Sequence, residues 1–315
     1  MGRISRKEII EMLEIKNGSK AFFDLLSRSY DMSKAAYGGK GYIFAQIGLN
    51  AEPCPVNCKF CSFADKYFSV NESSRRTKSE ILEEAKQFFD GRVSHLFLMT
   101  TADYPIELFI DVVKEVRKAA PKNVRLIGNI GDFDSAIALR LKEAGLSGFY
   151  HICRLNEGID TEVSLETRIH TIEAIKEQNL ELLYCIEPIG PEHTYAQIAD
   201  EIERAIHYQV EVMAIMRRVP VLGTPLYDKG AIDSLEFAKI AAVTRIAVDP
   251  KKSMNAHETN YMTLLAGVNQ LYAETGANPR DQSATTQISR GLSVTNCQAI
   301  LKEVGYQVGI SEMEA

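Results

Sequence analysis

The sequence predicts a (β/α)8 barrel of the TIM type preceded by an N-terminal helical extension, and three observations carry that expectation. Eight short apolar runs recur along the chain, amphipathic helical segments separate most of them, and capping signals mark several helix starts. Alternation of this kind implies parallel strands joined by right-handed crossovers. An open barrel of six strands with an appended C-terminal region fits the same pattern, because the last two runs are weak.

The first element is helical: Ser5 and Glu8 form a capping box ahead of Ile9, Ile10, Met12 and Leu13. A second amphipathic segment covers 19–36 and stops at Gly38 and Gly39, so residues 1–40 read as the extension. Strand candidates follow at 42–47, 95–99, 124–127, 148–153, 180–186, 210–216, 253–256 and 268–272. Thr77 with Glu80, and Thr194 with Gln197, form two further capping boxes between them. The barrel and its C-terminal region span 41–309, and 310–315 form a frayed tail. In such a barrel the site lies at the C-terminal strand ends, where the βα loops gather.

Of the 315 residues 45% are hydrophobic and 25% charged, enough apolar side chain for one large domain and the wrong balance for disorder. The net charge of −6 is spread without a long block, which argues against nucleic acid. No apolar run approaches the roughly 20 residues that span a bilayer, and the first ten residues lack a signal-peptide core. A cytoplasmic location, a small-molecule substrate and no membrane or nucleic-acid partner are therefore expected.

Six cysteines in a chain of this size are not a secreted disulfide framework, so metal binding or catalysis has to explain some of them. Cys54, Cys58 and Cys61 follow the first strand candidate, which brings three soft thiolates into one loop over the barrel mouth. A structural zinc site completes four protein ligands with a second short Cys or His pair, and the sequence contains none. Three ligands on an iron–sulfur cluster leave one iron open to chelate a small molecule.

The C-x3-C-x2-C spacing, with aromatic Phe60 before the last cysteine, resembles the signature of the radical S-adenosylmethionine (SAM) superfamily, and residues 42–306 resemble its biotin synthase-like branch. That branch includes biotin synthase, an [FeFe]-hydrogenase maturase and methylornithine synthase. The resemblance implies a [4Fe–4S] cluster on Cys54, Cys58 and Cys61 whose open iron binds SAM, and cleavage of SAM to methionine and a 5′-deoxyadenosyl radical. It also implies an electron donor such as flavodoxin or ferredoxin, and it allows a homodimer.

Further roles come with the resemblance. The loop after strand two reads MTTAD at 99–103 in place of a Gly-Gly-Glu form, and Thr100, Thr101 and Asp103 supply oxygen acceptors for the SAM amino group. The segment YHICRLNE at 150–157 is similar to an Arg-x-Glu segment with one extra residue. If the strand continues, Arg154 and Asn156 share one side, and Cys153, Leu155 and Glu157 the other. Glu157 is then a contact for SAM ribose or amine, and Arg168 matches the arginine that clamps the SAM carboxylate. Ile189 and Gly190 resemble the turn that packs on adenine, and 223–226 is close to the Gly-Thr-Pro-Leu motif of biotin synthase.

The remaining cysteines bear on the reaction. The resemblance implies that biotin synthase carries a second cluster inside its barrel; two of its cysteine positions and its arginine fall here near Leu98, Ile127 and Ser253, so the usual site is absent, while Cys185 lies within one residue of its strand-five cysteine. Cys185, Cys153 and Cys297 could ligate a different second iron–sulfur cluster, which makes sulfur insertion at unactivated C–H bonds the leading expectation, lipoyl-type insertion included. The alternatives are a single-cluster rearrangement, hydrogenase-cofactor maturation, or a non-catalytic cluster scaffold. Asn255, His257 and Glu258 after strand seven, with Glu274, Asn278 and Arg280 after strand eight, are candidate substrate contacts.

Overall fold

The computed structural model describes residues 4–309 except Arg92, so the tail expected at 310–315 lies outside the described residues. Eight parallel strands form the wall: β1 (Lys40–Gly48), β2 (His95–Met99), β3 (Arg125–Asn129), β4 (Gly148–Tyr150), β5 (Glu181–Ile189), β6 (Val212–Arg217), β7 (Ser253–His257) and β8 (Gln270–Gly276). They pair in sequence order, and β1 pairs with β8 from Tyr42–Gln270 to Gly48–Gly276, so the sheet closes on itself. Closure decides for the eight-strand barrel over the open six-strand alternative.

Helices α1 (Arg6–Leu13) and α2 (Lys20–Ala36) precede β1 and pack on α7 (Tyr195–Tyr208) and α8 (Ser234–Val248) of the outer ring. The capping boxes of Ser5, Thr77 and Thr194 are all formed, each hydroxyl accepting the N–H three residues on. Helix α8 is nearly all buried because α1, α2 and α7 cover it, which explains its apolar sequence. Among the described residues no helix is long and apolar enough to cross a membrane.

Strand four is shorter than its sequence suggests. Pairing ends at Tyr150, and the Cys153 N–H is taken at 3.2 Å by the side-chain hydroxyl of Tyr184 on β5 rather than by a main-chain carbonyl of that strand. The alternation expected through 153–157 therefore does not apply, since the chain has left the pleat. The lower lumen is a stack of rings: Phe44 lies 3.9 Å from His95, Phe97 is 5.0 Å from Tyr272, and Tyr272 stacks at 4.8 Å on His257. These rings form a floor, and the polar groups lie above it.

The rim is packed backbone to backbone. A Cβ on Gly48, at the end of β1, would stand 2.0 Å from the Ala277 carbonyl oxygen, so only glycine permits the β8 loop to approach. Gly48→Ala is expected to destabilise the protein by about 1–3 kcal/mol through overpacking, read from the midpoint of urea unfolding.

Candidate active site

Every barrel strand contributes to one cavity at the C-terminal rim, with an empty volume of about 1020 Å³ counted to its open mouth. Gln46 and Asn50 come from the end of β1, Met99 to Ala102 from β2, and Asn129 to Gly131 from β3. Tyr150 and Arg154 follow β4, Glu187 ends β5, Met216 lies on β6, His257 ends β7, and Asn278 to Arg280 follow β8.

Cys54, Cys58, Phe60 and Cys61 all line this cavity. Their loop is fixed by the main chain: the Lys59 N–H donates to the Asp160 carbonyl at 2.9 Å, Ser62 to Pro279 at 3.0 Å, and the Lys59 carbonyl accepts from Leu226 at 3.1 Å. Burial pushes the Cys58 thiol up to about 11, partly offset by the charge of Arg154, and it raises Cys61 further. A bare thiolate is thus disfavoured here, and an iron cluster supplies the positive charge that reverses this. The Phe63 N–H donates to Cys61 Sγ at 3.3 Å, as suits a ligating thiolate. Among the described residues no three Cys, His, Asp or Glu side chains close around a single ion.

On the β3–β4 side lies a buried charge network. Arg168, from α6 (Leu165–Glu177), donates from Nη1 to Asp132 at 2.9 Å and from Nε to Glu157 at 3.2 Å. Asp132 is also 3.2 Å from His151. Burial alone would raise the Asp132 carboxyl, but the His151 and Arg168 contacts outweigh it and hold it at about 2. Both carboxylates thus aim a guanidinium that itself lines the cavity. A second group joins Tyr150, whose hydroxyl donates to Glu187 at 2.7 Å, with Arg154 Nε 3.6 Å from the same carboxylate.

Several expected contacts sit elsewhere. Thr100 and Thr101 line the cavity, and Thr101 is held by Asn50 at 2.7 Å, but Asp103 is exposed and outside the lining. Glu157 does not reach the cavity, because its carboxylate is spent on Arg168, Thr161 and the Arg154 N–H. Asn156 adopts φ 60° and bonds Asp160 and Gln197, so it shapes the loop. Ile189 and Gly190 line a different cleft between the β5 and β6 loops, where Gly190 lets the Arg218 guanidinium come close.

The three spare cysteines point three ways. Cys185 is buried beside Tyr150 and Glu187 under the cavity. Cys153 instead lies behind the wall with Tyr184, Glu201 and Arg204, because β4 ended before its parity could place it in the lumen. Cys297 is on α10 (Val294–Glu303), outside β8, donating to the Tyr272 carbonyl at 3.4 Å. The structure does not bring these three thiols together.

Asn255, His257 and Glu258 lie together in a second cavity that also touches Glu274 and Arg280. Sequence reasoning missed Asn129, Asp132, Tyr150 and Glu187. Only the alternation of inward residues along their strands marks Asn129, Tyr150 and Glu187, and nothing local marks Asp132.

A scan against models of known protein families finds no match. The chain is 22% identical to the biotin synthase of Bacillus licheniformis over 100% of this chain and 95% of that one, and 24% identical to that of Bacillus subtilis over 92% and 88%. Its fold is similar to methylornithine synthase (PylB), with a TM-score of 0.81 and 16% identity, covering 98% of this chain and 94% of the other. It is also similar to the FeFe-hydrogenase maturase HydG of Carboxydothermus hydrogenoformans, with a TM-score of 0.82 and 17% identity over 99% and 77%. These relatives and folds support the radical SAM superfamily, in its biotin synthase-like branch. Relatives in this superfamily imply a [4Fe–4S] cluster and SAM for the enzyme.

In this barrel burial holds His151 and His257 below the ordinary histidine range, for His257 with help from the charges of Arg280 and Arg290. A histidine that is neutral when folded gains a proton on unfolding once the pH falls below about 6.5. Stability is therefore full above that pH and lost on acidification, by up to about 1.4 kcal/mol per pH unit for each such residue. His151→Gln is expected to flatten this slope between pH 6.5 and 5, read by urea unfolding along a pH series.

Proposed function

We propose that the enzyme cleaves SAM at a cluster held by Cys54, Cys58 and Cys61 and runs a single-cluster radical reaction on a small polar substrate. The cluster, when bound, supplies the electron that splits SAM into methionine and the 5′-deoxyadenosyl radical. Arg168 binds the methionine carboxylate, with Asp132 and Glu157 fixing its plane, and Thr100, Thr101 and Asn129 offer oxygens to the amino group. Tyr150, Glu187 and Arg154 hold the substrate against the radical, where reacting atoms must approach to roughly 3–3.5 Å. The ring floor of Phe97 and Tyr272 keeps water from below.

The observation that carries the single-cluster reading is the placement of the spare thiols: Cys185 alone stands under the cavity, while Cys153 and Cys297 lie behind the wall. Sulfur insertion retains the support of the biotin synthase relatives. Iron counting separates the two. After anaerobic reconstitution, wild type and a Cys185→Ala, Cys153→Ala double variant should both hold four irons' worth of one cluster per chain. A second cluster in wild type that the double variant lacks would restore sulfur insertion.

Replacing Cys54, Cys58 and Cys61 together by Ala should abolish 5′-deoxyadenosine formation by the reduced protein, measured by chromatography. Arg168→Ala should weaken SAM binding by roughly 2–5 kcal/mol, since it removes one partner of a buried charged contact. Unchanged affinity would remove Arg168 from the SAM site.

A further inference from the structure

The barrel wall is nearly open between β7 and β8. These strands share one register pair, Asn255 with Gln270, whereas β6 and β7 share five. Farther along, β8 is paired instead by the returning chain: Leu292 bridges Ala273, and the Glu274 N–H donates to the Leu292 carbonyl at 3.1 Å. The two strands diverge around a second cavity, with an empty volume of about 590 Å³ counted to its open side. His257 and Arg280 line both cavities, so the two stand against each other at these side chains.

The lining of this chamber has unspent polar capacity. It contains three guanidinium groups, from Arg217, Arg280 and Arg290, against the carboxylates of Glu258 and Glu274. Arg280 donates to Glu258 at 2.9 Å and to Glu274 at 3.0 Å, and Arg290 bonds Glu258 and Asp281. Both glutamates are thus engaged. Arg217 rests on the Phe237 ring, 5.7 Å from its centroid, and pairs with no carboxylate among the described residues. Asn255 is 1% exposed, and its amide N–H donates to the Gln270 carbonyl at 2.9 Å while its Oδ1 has no partner. His257 is 8% exposed, and its Nε2 also has none. Buried polar atoms left without partners are expensive, and a ligand that pairs them recovers the cost.

We propose that this chamber is a substrate subsite for a short carboxylate with an adjacent hydroxyl or amino donor: Arg217 takes the carboxylate, and Asn255 and His257 take the donor. The remainder of the substrate passes Arg280 into the active cavity. The inference rests on the reading of that cavity as the place of radical chemistry. A guanidinium is the only charge in the chamber free to bind, which selects an anion, and the unpaired Asn255 Oδ1 can only accept, which selects a donor beside it.

The test is calorimetric titration of the cluster-loaded enzyme, with SAM present, using four probes: glycolate, glycine, acetate and ethanediol. Glycolate or glycine should bind, acetate about ten-fold more weakly, and ethanediol not at all. Arg217→Gln should abolish carboxylate binding while SAM affinity stays unchanged, and Asn255→Ala should erase the preference over acetate. Should Arg217→Gln fail to fold, the Asn255→Ala preference decides. No carboxylate binding by wild type, or equal binding by Arg217→Gln, overturns the subsite. SAM cleavage by the same reduced wild-type preparation distinguishes the failures: cleavage without carboxylate binding sinks the chamber alone, and no cleavage sinks the reading of the main cavity.

Discussion

Closure of the sheet between β1 and β8 is the constraint on which the site depends. Seven residues of β1, from Tyr42 to Gly48, pair with β8 from Gln270 to Gly276, so the loops that leave these strands must run side by side. One loop carries Cys54, Cys58 and Cys61, and the other carries Asn278 to Arg280. Gly48 permits their main chains to touch, and the Ser62 to Pro279 hydrogen bond joins them. A chain with thirty-nine residues before its first strand and a helix after its last thus has its cysteine loop placed by a contact between segments far apart in the sequence.

Buried charge gathers on two sides of the barrel mouth. Toward β3 and β4 the groups are matched closely: Asp132 takes one N–H of Arg168 Nη1 and Glu157 the single N–H of Nε, which leaves Nη2 for a ligand. Toward β7 and β8 the pairing is denser but shared, since Glu258 serves both Arg280 and Arg290, and Glu274 accepts from Arg280 and Asn278. Burial raises the Glu274 carboxyl, partly countered by Arg280, whereas Glu258 is held low because its two arginines outweigh burial. Such buried pairs are costly to break singly, which makes each a positional constraint more than a source of net stability.

Much of this was legible in the sequence, for reasons that can be stated. The strand runs at 95–99 and 180–186 and the boxes at Ser5, Thr77 and Thr194 are local patterns, and local patterns survive folding. The cysteine loop was legible because its spacing is itself the chemistry. The last two strands were weak signals, and the wall is also thinnest between them, with one register pair. What local reading could not give was parity beyond Tyr150, where the Tyr184 hydroxyl intercepts the Cys153 amide, or the meeting of Asp132 with Arg168, thirty-six residues apart. Both are set by tertiary contacts with no sequence signature.

The way the cysteine loop is tied down bears on how the proposed cluster would be assembled there. Its main chain is bonded to the loops after β4, β6 and β8 through Asp160, Leu226 and Pro279, and Glu162 donates to the Val56 carbonyl at 2.7 Å. None of these ties involves sulfur. In small metallodomains the ion organises an otherwise unfolded chain, so binding and folding share one free energy. Here main-chain bonds that do not pass through sulfur hold the loop, so under the proposed cluster loading would be delivery into a socket fixed by the barrel. Stripping the iron should then leave a folded protein ready to be refilled, with assembly limited by the supply of iron and sulfide and not by refolding of the barrel.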